Sequence, residues 1–418
     1  MRVTPSSKRI VYLHQYFKTP QMDGGTRSYE FARRFSAVGY DVHVVTSDTR
    51  STAHAGHRIE IIDGVTVHWI HVAYANKMPF GRRIVAFLSF ALRSAGLARR
   101  LNGDIVFATS TPLTIIIPAL FATLFRKAPL LFEVRDLWPE LPIAIGALRN
   151  PIAVNAARWL ERVAYRTADH IIALSPGMKD GIIAAGVEPS RITVVPNCSD
   201  LELFGKEIVP PLDWVASSTG LTGRKQVVYC GALGRINGVS YIVDIAAAMA
   251  HIRDDVAFVV VGTGWECDYV RERALTLGVL GTAFILHQPI PKSDVPALLA
   301  HADIGMSVFL PVPEMEVNSA NKFFDALASG TPIAINYGGW QSDLIEATSC
   351  GIVLPQTDAA GAAQRLSDLL STPEKLAEMA LNARHLAETD FSRDALAAKV
   401  IAIIDNLTSG IPNDSRPF

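Results

Sequence analysis

Short apolar runs rich in β-branched residues recur along the chain, each followed by room for one amphipathic helix, and this alternation restricts the fold more than any other feature. In the first half the runs are Ile10–Leu13, Asp41–Thr46, Asp104–Ala108, Leu130–Val134, His170–Leu174 and Thr193–Val195. Nearly continuous apolar strands separated by helices predict a doubly wound parallel sheet buried on both faces. Ile59–Ile62 and Thr66–Ile70 flank an Asp63-Gly64 pair and predict a hairpin at one sheet edge. Between Phe204 and Lys225 the periodicity stops, and Pro210, Pro211, Gly220 and Gly223 punctuate a polar stretch. Val227–Cys230, Val256–Val261, Ala283–Leu286, Ile304–Val308 and Ile333–Ile335 then restart the pattern and predict a second sheet.

At 418 residues the chain is too long for one ordinary core, which agrees with two α/β domains. The expected division is a first Rossmann-like domain over 1–204, a linker over 205–225, a second Rossmann-like domain over 226–391, and a final segment over 392–418. From Asp358 onward the pattern is helical, and Ser392–Leu407 has no strand to serve, so a helix returning to the first domain is expected.

Four cysteines without a CxxC pair argue against a zinc site or a disulfide framework and fit free thiols in a reducing cytoplasm. The longest apolar stretch, Thr114–Phe125, is well short of the ~20 residues that a spanning helix needs, and the opening Arg9–Leu13 run is too short for a secretory signal. Through residue 200 the chain has 24 Lys+Arg against 15 Asp+Glu, and after it 15 against 25, so the halves carry +9 and −10. Such asymmetry points to an anionic partner for one half or to mutual attraction of two domains.

Several turns carry residues suited to an anionic ligand. Gly24-Gly25 precede a helix whose apolar positions Tyr29, Phe31, Ala32 and Phe35 follow a 3.6 period; the pair either lets backbone approach a ligand or makes a tight turn. It is not the GxGxxG of a dinucleotide site. Gly231-Ala232-Leu233-Gly234-Arg235-Ile236-Asn237-Gly238 opens the second sheet with a cation that can fork phosphate oxygens, or be a solvated loop arginine. Val261-Gly262-Thr263-Gly264 repeats the strand-then-glycine pattern.

In Glu314–Pro332, Asn318 or Ser319 can cap a helix ending at Gly330, beyond which Pro332 forbids continuation. Lys322 and Asp325 share a face of it, as a ligand site or an ordinary surface pair. A lysine in the first turn faces the positive end of the helix dipole, and a bound anion would explain it. In the first half, Phe132-Glu133-Val134-Arg135-Asp136 puts charges at the carboxyl end of a buried strand, where open α/β sheets bind ligands, although a structural Arg–Asp pair is the alternative.

Within Phe80–Leu101, Arg82, Arg93 and Arg100 fall within about 20° of one another, with Ile84, Leu88, Ala91 and Ala95 opposite and Phe90 and Leu97 flanking. With Lys77, Arg83 and Arg99 and no acid before Asp104, this is the pattern of a surface helix resting on anionic lipid, or of a merely solvated basic face.

Taken in order, Gly24-Gly25, Val195-Pro196-Asn197, Gly234-Arg235, Gly262-Thr263-Gly264 and Phe324–Pro332 resemble a family-4 retaining glycosyltransferase of the GT-B fold over nearly the whole chain. His14-Gln15-Tyr16-Phe17, Gly24–Glu30 and Arg135–Pro139 further resemble the bacterial N-acetylfucosaminyltransferase-like members that build O-antigen and capsule. The resemblance implies two Rossmann-like domains facing across a cleft that holds the active site. It also implies a nucleotide-sugar donor, with UDP as the nucleotide, and a polyprenyl-diphosphate-linked saccharide acceptor at the inner face of the membrane; no nucleic-acid partner is expected, and the lack of a DxD-type carboxylate pair predicts no metal cofactor. Gly24 and Gly25 would approach the donor, Arg235 its diphosphate and Asp325 its ribose. Asn237, Gly264, Glu316, Asn318 and Lys322 complete the expected donor set; Arg135, Asp136, Arg235 and Lys322 are the catalytic candidates, and Arg82, Arg83, Arg93 and Arg100 the membrane or acceptor surface.

The chain departs from the family pattern in three places: Asn237 stands where a lysine is usual, Val317 and Asp325 where two glutamates eight apart are usual, and Arg135 where a histidine is common. Lys322 is expected to compensate for the missing lysine. A sugar-nucleotide 2-epimerase of the same shape and a non-catalytic nucleotide- or glycan-binding protein are the alternatives.

Overall fold

The computed structural model describes residues 7–22, 24–49, 56–74, 78, 80–124, 128–144, 146, 148–205, 210–217 and 221–409. Lys77 and Gly220, together with parts of the expected linker and of both termini, lie outside the described residues. The chain packs into two compact units: residues 1–19, 26–196 and 396–418 form the first, and residues 20–25 and 197–395 the second.

In the first unit the strands are β1 (Arg9–Leu13), β2 (Asp41–Asp48), β3 (His57–Ile62), β4 (Val65–His71), β5 (Ile105–Thr109), β6 (Leu130–Val134), β7 (His170–Ala173) and β8 (Ile192–Val194). They form one sheet in the order β3-β4-β2-β1-β5-β6-β7-β8, parallel except for the β3–β4 hairpin at its edge. Asp63 and Gly64 both take positive φ at that hairpin, 48° and 79°, as a two-residue turn of this twist requires.

The connecting helices are α1 (Arg27–Ala37), α2 (Phe80–Leu101), α3 (Ile116–Thr123), α4 (Glu140–Ala144), α5 (Pro151–Thr167) and α6 (Pro176–Ala184). Strands β1, β5 and β6 are almost wholly buried because both faces are covered. Tyr12 of β1 stacks on Phe107 of β5 with ring centroids 4.3 Å apart, and Phe35 of α1 closes on both rings. Each buried aromatic of this kind contributes roughly 2–3 kcal/mol of apolar burial.

The second unit holds α7 (Asp213–Ala216), β9 (Lys225–Cys230), α8 (Ser240–Ala250), β10 (Val256–Val261), α9 (Cys267–Thr276), β11 (Phe284–His287), α10 (Val295–Ala300), β12 (Ile304–Ser307), α11 (Asn321–Ser329), β13 (Ile333–Ile335), α12 (Trp340–Thr348), β14 (Gly351–Val353), α13 (Ala359–Leu370) and α14 (Pro373–Glu388). Its sheet is parallel in the order β11-β10-β9-β12-β13-β14. Strand β14 has no counterpart in the sequence reading. It is three residues long and opens on Gly351, where a Cβ would lie 2.0 Å from the Ile333 carbonyl oxygen, so close pairing with β13 selects the glycine.

The last helix, α15 (Arg393–Thr408), begins in the second unit, where Arg393 donates to the Asp200 carboxylate at 2.6 Å. From Leu396 onward it packs with the first unit. There Lys8 donates to the Thr408 hydroxyl at 2.9 Å and the Tyr40 hydroxyl to Asp405. In both units the motif-bearing turns follow the carboxyl ends of parallel strands, the end at which such sheets bind ligands.

Candidate functional site

In the second unit β9 ends at Cys230 and the chain enters the Gly231–Gly238 turn. A Cβ on Gly262 would meet the Gly231 carbonyl oxygen at 1.9 Å, and one on Gly264 the Leu233 carbonyl oxygen at 2.4 Å. The glycines after β10 are thus explained by the close stacking of two loops, Gly264 included. Asn237 is buried, and its side-chain oxygen accepts the Gly234 N–H at 3.2 Å, closing the turn. Arg235, two residues before it, is exposed, and no hydrogen bond or ion pair of its guanidinium occurs among the described residues.

Lys322, in the first turn of α11, lies against that turn: a Cβ on Gly231 would stand 2.4 Å from the Lys322 Cε, so glycine at 231 leaves the side chain its channel. Its Nζ is 5.1 Å from the Tyr229 ring centroid and 5.6 Å from that of Phe309. Burial pulls the ammonium down to about 8, against the opposing influence of Cys230 and Asp325. The Cys230 thiol at the end of β9 is pushed up to about 11 by the same burial.

The sequence pairs Lys322 with Asp325. In the structure the Asp325 carboxylate instead accepts from Lys292 at 2.5 Å, and Lys292 also lies 5.5 Å from the Phe204 ring centroid. Lys292 precedes α10 and was not singled out in the sequence, since nothing local marks a lysine 33 residues away as the partner.

Neither Asn318 nor Ser319 caps α11. Ala320 occupies the cap position, and the helix ends as expected at Gly330, φ 66°. Asn318 is tied instead to the preceding turn: its Nδ2 donates to the Met315 carbonyl, its own carbonyl accepts from Trp340 Nε1 at 2.7 Å, and its buried Oδ1 has no partner among the described residues. Ser319 is held by Asn197, whose N–H donates to its hydroxyl at 3.0 Å. Glu316 packs on Gly338-Gly339; a Cβ on Gly339 would stand 2.2 Å from its carbonyl oxygen, and its carboxylate lies alongside Gly338. Gly24 and Gly25, read in the sequence as part of the first domain, pack with the second unit, where a Cβ on Gly25 would come 3.3 Å from Asn321 Nδ2.

In the first unit, Arg135 and Asp136 follow β6. The Arg135 N–H donates to the Ser110 hydroxyl at 2.9 Å, and its guanidinium reaches the His14 Nε2 at 3.3 Å. Burial, reinforced by Arg135 and Lys18, holds His14 well below its ordinary value, so its ring is neutral and accepts. The Asp136 carboxylate accepts from the Thr111 hydroxyl at 3.1 Å; burial raises its pKa despite Arg135 and that hydrogen bond. Arg135 and Asp136 therefore do not pair with each other by a hydrogen bond.

The charge pair of this region is one the sequence reading missed: Arg27 of α1 donates twice to Glu133 Oε1, at 3.0 and 2.8 Å, and to the carbonyls of Val195 and Pro196. A glutamate inside the wholly buried β6 had to have a partner, and that was the available signal.

On α2 the expected division of faces is corrected. Phe90, expected to flank the basic stripe, is 1% exposed, whereas Leu88, expected opposite it, is 42% exposed. Val85 and Leu92 are exposed too, at 66% and 71%, on the same side as Arg82, Arg93 and Arg100. Arg93 donates to the His71 carbonyl at 2.9 Å, and Arg83 turns away toward the Tyr74 ring. No described helix is long and apolar enough to cross a membrane.

Comparison with known proteins agrees with this arrangement. The description "Glycosyl transferase 4-like domain" fits residues 24–198, and "Glycosyl transferases group 1" fits residues 224–372. Spore coat protein SA of Bacillus subtilis is 26% identical over 196 residues, 45% of this chain and 51% of that protein, so the match spans about half the relative's length. Alpha-maltose-1-phosphate synthase of Mycolicibacterium smegmatis is 23% identical over 296 residues, 68% of this chain and 74% of that protein. Anabaena HepE, solved in complex with UDP and glucose, superposes with a TM-score of 0.69 at 18% identity, covering 96% of this chain and 100% of its own. Together the two domain matches place the chain in the family-4, group 1 glycosyltransferases, and the two Rossmann-like domains are those of the GT-B type.

Proposed function

We propose that this member of the group 1 glycosyltransferases moves a sugar, with retention, from a UDP-N-acetyl-sugar to a saccharide carried on a polyprenyl diphosphate, as a step of surface polysaccharide synthesis of the O-antigen or capsule kind. The observation that carries the reading is Lys322: a part-buried, desolvated ammonium at the first turn of α11, near the exposed Arg235 turn, with no carboxylate hydrogen-bonded to it among the described residues. A cation left in that state is suited to an anion that arrives from outside. The UDP complex of HepE and the sugar-phosphate synthase activity named for the mycobacterial relative support a nucleotide-sugar donor.

Breaking the sugar–phosphate bond develops positive charge at the anomeric carbon and negative charge on the departing diphosphate. Lys322 and Arg235 neutralise the latter, and Asp325, oriented by Lys292, takes the ribose hydroxyls. A donor phosphate oxygen takes the acceptor proton during same-face attack. In the first unit Asp136, with its pKa raised, and Arg135 orient the acceptor hydroxyl. No divalent cation is required in this scheme, so EDTA leaves activity intact. The Val85, Leu88 and Leu92 side chains among the α2 arginines give the protein a peripheral seat on the anionic inner face of the membrane.

A thermal-shift panel of UDP, GDP, CDP and ADP with and without their sugars tests the reading, because a ligand of the folded state raises apparent stability. A shift confined to UDP species, followed by sugar transfer to a lipid-linked acceptor, is expected. Donor conversion without acceptor would mean an epimerase, and no shift with any nucleotide would mean a chain that has lost the donor site.

A further inference from the structure

The face of α5 that points to solvent is more apolar than a solvated helix needs. Ile152 is 80% exposed and Trp159 59% exposed, while only Ala164 and Tyr165 of this helix are buried. At 100° per residue Ile152, Asn155, Ala156, Trp159, Arg162 and Arg166 fall within about 120° of one another, opposite Ala164 and Tyr165. Arg162 and Arg166 are exposed, as is Arg158, which pairs with Glu140 at 3.2 Å. Glu161 is the one acid of α5, and burial pushes its carboxyl up to about 7.

This face is not isolated. Helix α5 packs on α3, and α3 on α2. Between the two outer helices α3 exposes Phe121 and, just past its end, Leu124, at 41% and 47%; the Arg99 guanidinium of α2 lies 5.4 Å from the Phe121 ring centroid. Helices α2, α3 and α5, in contact in that order, thus each expose apolar side chains, and α2 and α5 carry exposed arginines as well.

We infer that α5 is a second membrane-contacting helix, with Trp159 and Ile152 entering the interfacial region of an anionic bilayer and Arg162 and Arg166 resting on its headgroups. Exposed apolar side chains with arginines beside them on the same helix match a surface that is apolar beneath and anionic above; a tryptophan with one polar edge suits the boundary between them. Two helices also fix the orientation of the unit on the bilayer, which one helix leaves free to roll about its axis. The inference rests on the membrane reading of α2 given above.

The test is flotation of the full chain with vesicles of phosphatidylglycerol and phosphatidylcholine, or of phosphatidylcholine alone. Three forms are compared: wild type, I152S/W159S, and the α2 variant R82E/R93E. The expected result is binding to the anionic vesicles that falls at least tenfold in I152S/W159S, with the UDP-induced thermal shift unchanged. Brominated acyl chains should quench a component of the tryptophan emission that W159F lacks. Wild-type binding abolished by R82E/R93E but untouched by I152S/W159S would overturn the α5 inference and leave the α2 reading standing. No binding of wild type to either vesicle would overturn both. A wild-type dimer in solution that I152S/W159S converts to monomer, without vesicle binding, would assign this face to a second copy and overturn the lipid.

Discussion

Arg27 in the first unit is buried and Lys322 in the second is part-buried, and the surrounding chain treats the two cations in opposite ways. Arg27 spends four guanidinium hydrogen bonds on Glu133 and two backbone carbonyls. Burial alone would raise the Glu133 pKa, but Arg27 and Arg135 outweigh it and hold the carboxylate below its usual range. Lys322 has two aromatic rings and, among the described residues, no hydrogen-bonded carboxylate; Asp325, three residues on along the helix, is bound to Lys292 instead. One cation is consumed in joining α1 to β6 and to the end of β8. The other carries no such hydrogen-bonded carboxylate among the described residues, and desolvation lowers its pKa to about 8.

The largest effect expected from this contrast is on stability. Arg27→Met leaves Glu133 buried without the cation hydrogen-bonded to it, with only the Thr109 hydroxyl and the Arg135 charge remaining, and should cost about 3–5 kcal/mol, seen as a much lower denaturation midpoint. Chemical denaturation followed by circular dichroism measures it. A loss below about 1 kcal/mol would mean that the pair is not what secures the first unit, and the comparison with Lys322 would lose one of its terms.

Lys322→Ala should do the reverse, leaving the denaturation midpoint unchanged or slightly raised, because a desolvated charge is removed. Turnover should fall by about 10²–10³ while donor KM changes far less, as for a group whose attraction grows with the charge of the leaving diphosphate. Steady-state kinetics alongside the same denaturation curve decides the matter. If Lys322→Ala unfolds the protein as Arg27→Met does, the lysine is structural and the proposed donor role falls with it.

How far this contrast could be read from the sequence depends on how local each signal is. β6, β10 and β13 stood at their observed limits in the sequence because β-branched runs bounded by turns are local facts. Strand β14 was invisible, being three residues that need Ile333 beside them to pair. Lys322 was legible as a cation at the wrong end of a helix. Its isolation was not, since that depends on Lys292 reaching Asp325 across 33 residues. The Arg27–Glu133 bond spans 106 residues, and only the oddity of a glutamate in an apolar strand hinted at it. On α2 the wheel located the arginines but not which flank the neighbouring helix α3 and the sheet would cover, and so it misplaced Leu88 and Phe90.

The smallest effect expected is the most discriminating, because it asks whether Lys322 can be made to behave like Arg27. With the Lys322 pKa at about 8, the free ammonium is charged below pH 8 and neutral above it, and a bound diphosphate favours the charged form. UDP affinity should therefore be constant below pH 8 and fall by up to tenfold per pH unit above it, with no such fall in Lys322→Met. Lys292→Met removes the partner of Asp325, whose half-buried carboxylate is then the nearest counter-charge for Lys322 on the same helix. The lysine pKa should rise, the break in the affinity profile should move above pH 8, and UDP should bind about two- to fivefold more weakly at pH 7 because part of the ammonium's charge is already answered. Isothermal titration calorimetry across pH 7–10 on the three proteins reads all of this at once. A break that stays at pH 8 in Lys292→Met would show that Asp325 does not reach Lys322 even when released. The availability of Lys322 would then be set by the aromatic channel and Gly231 rather than by the Lys292 pairing.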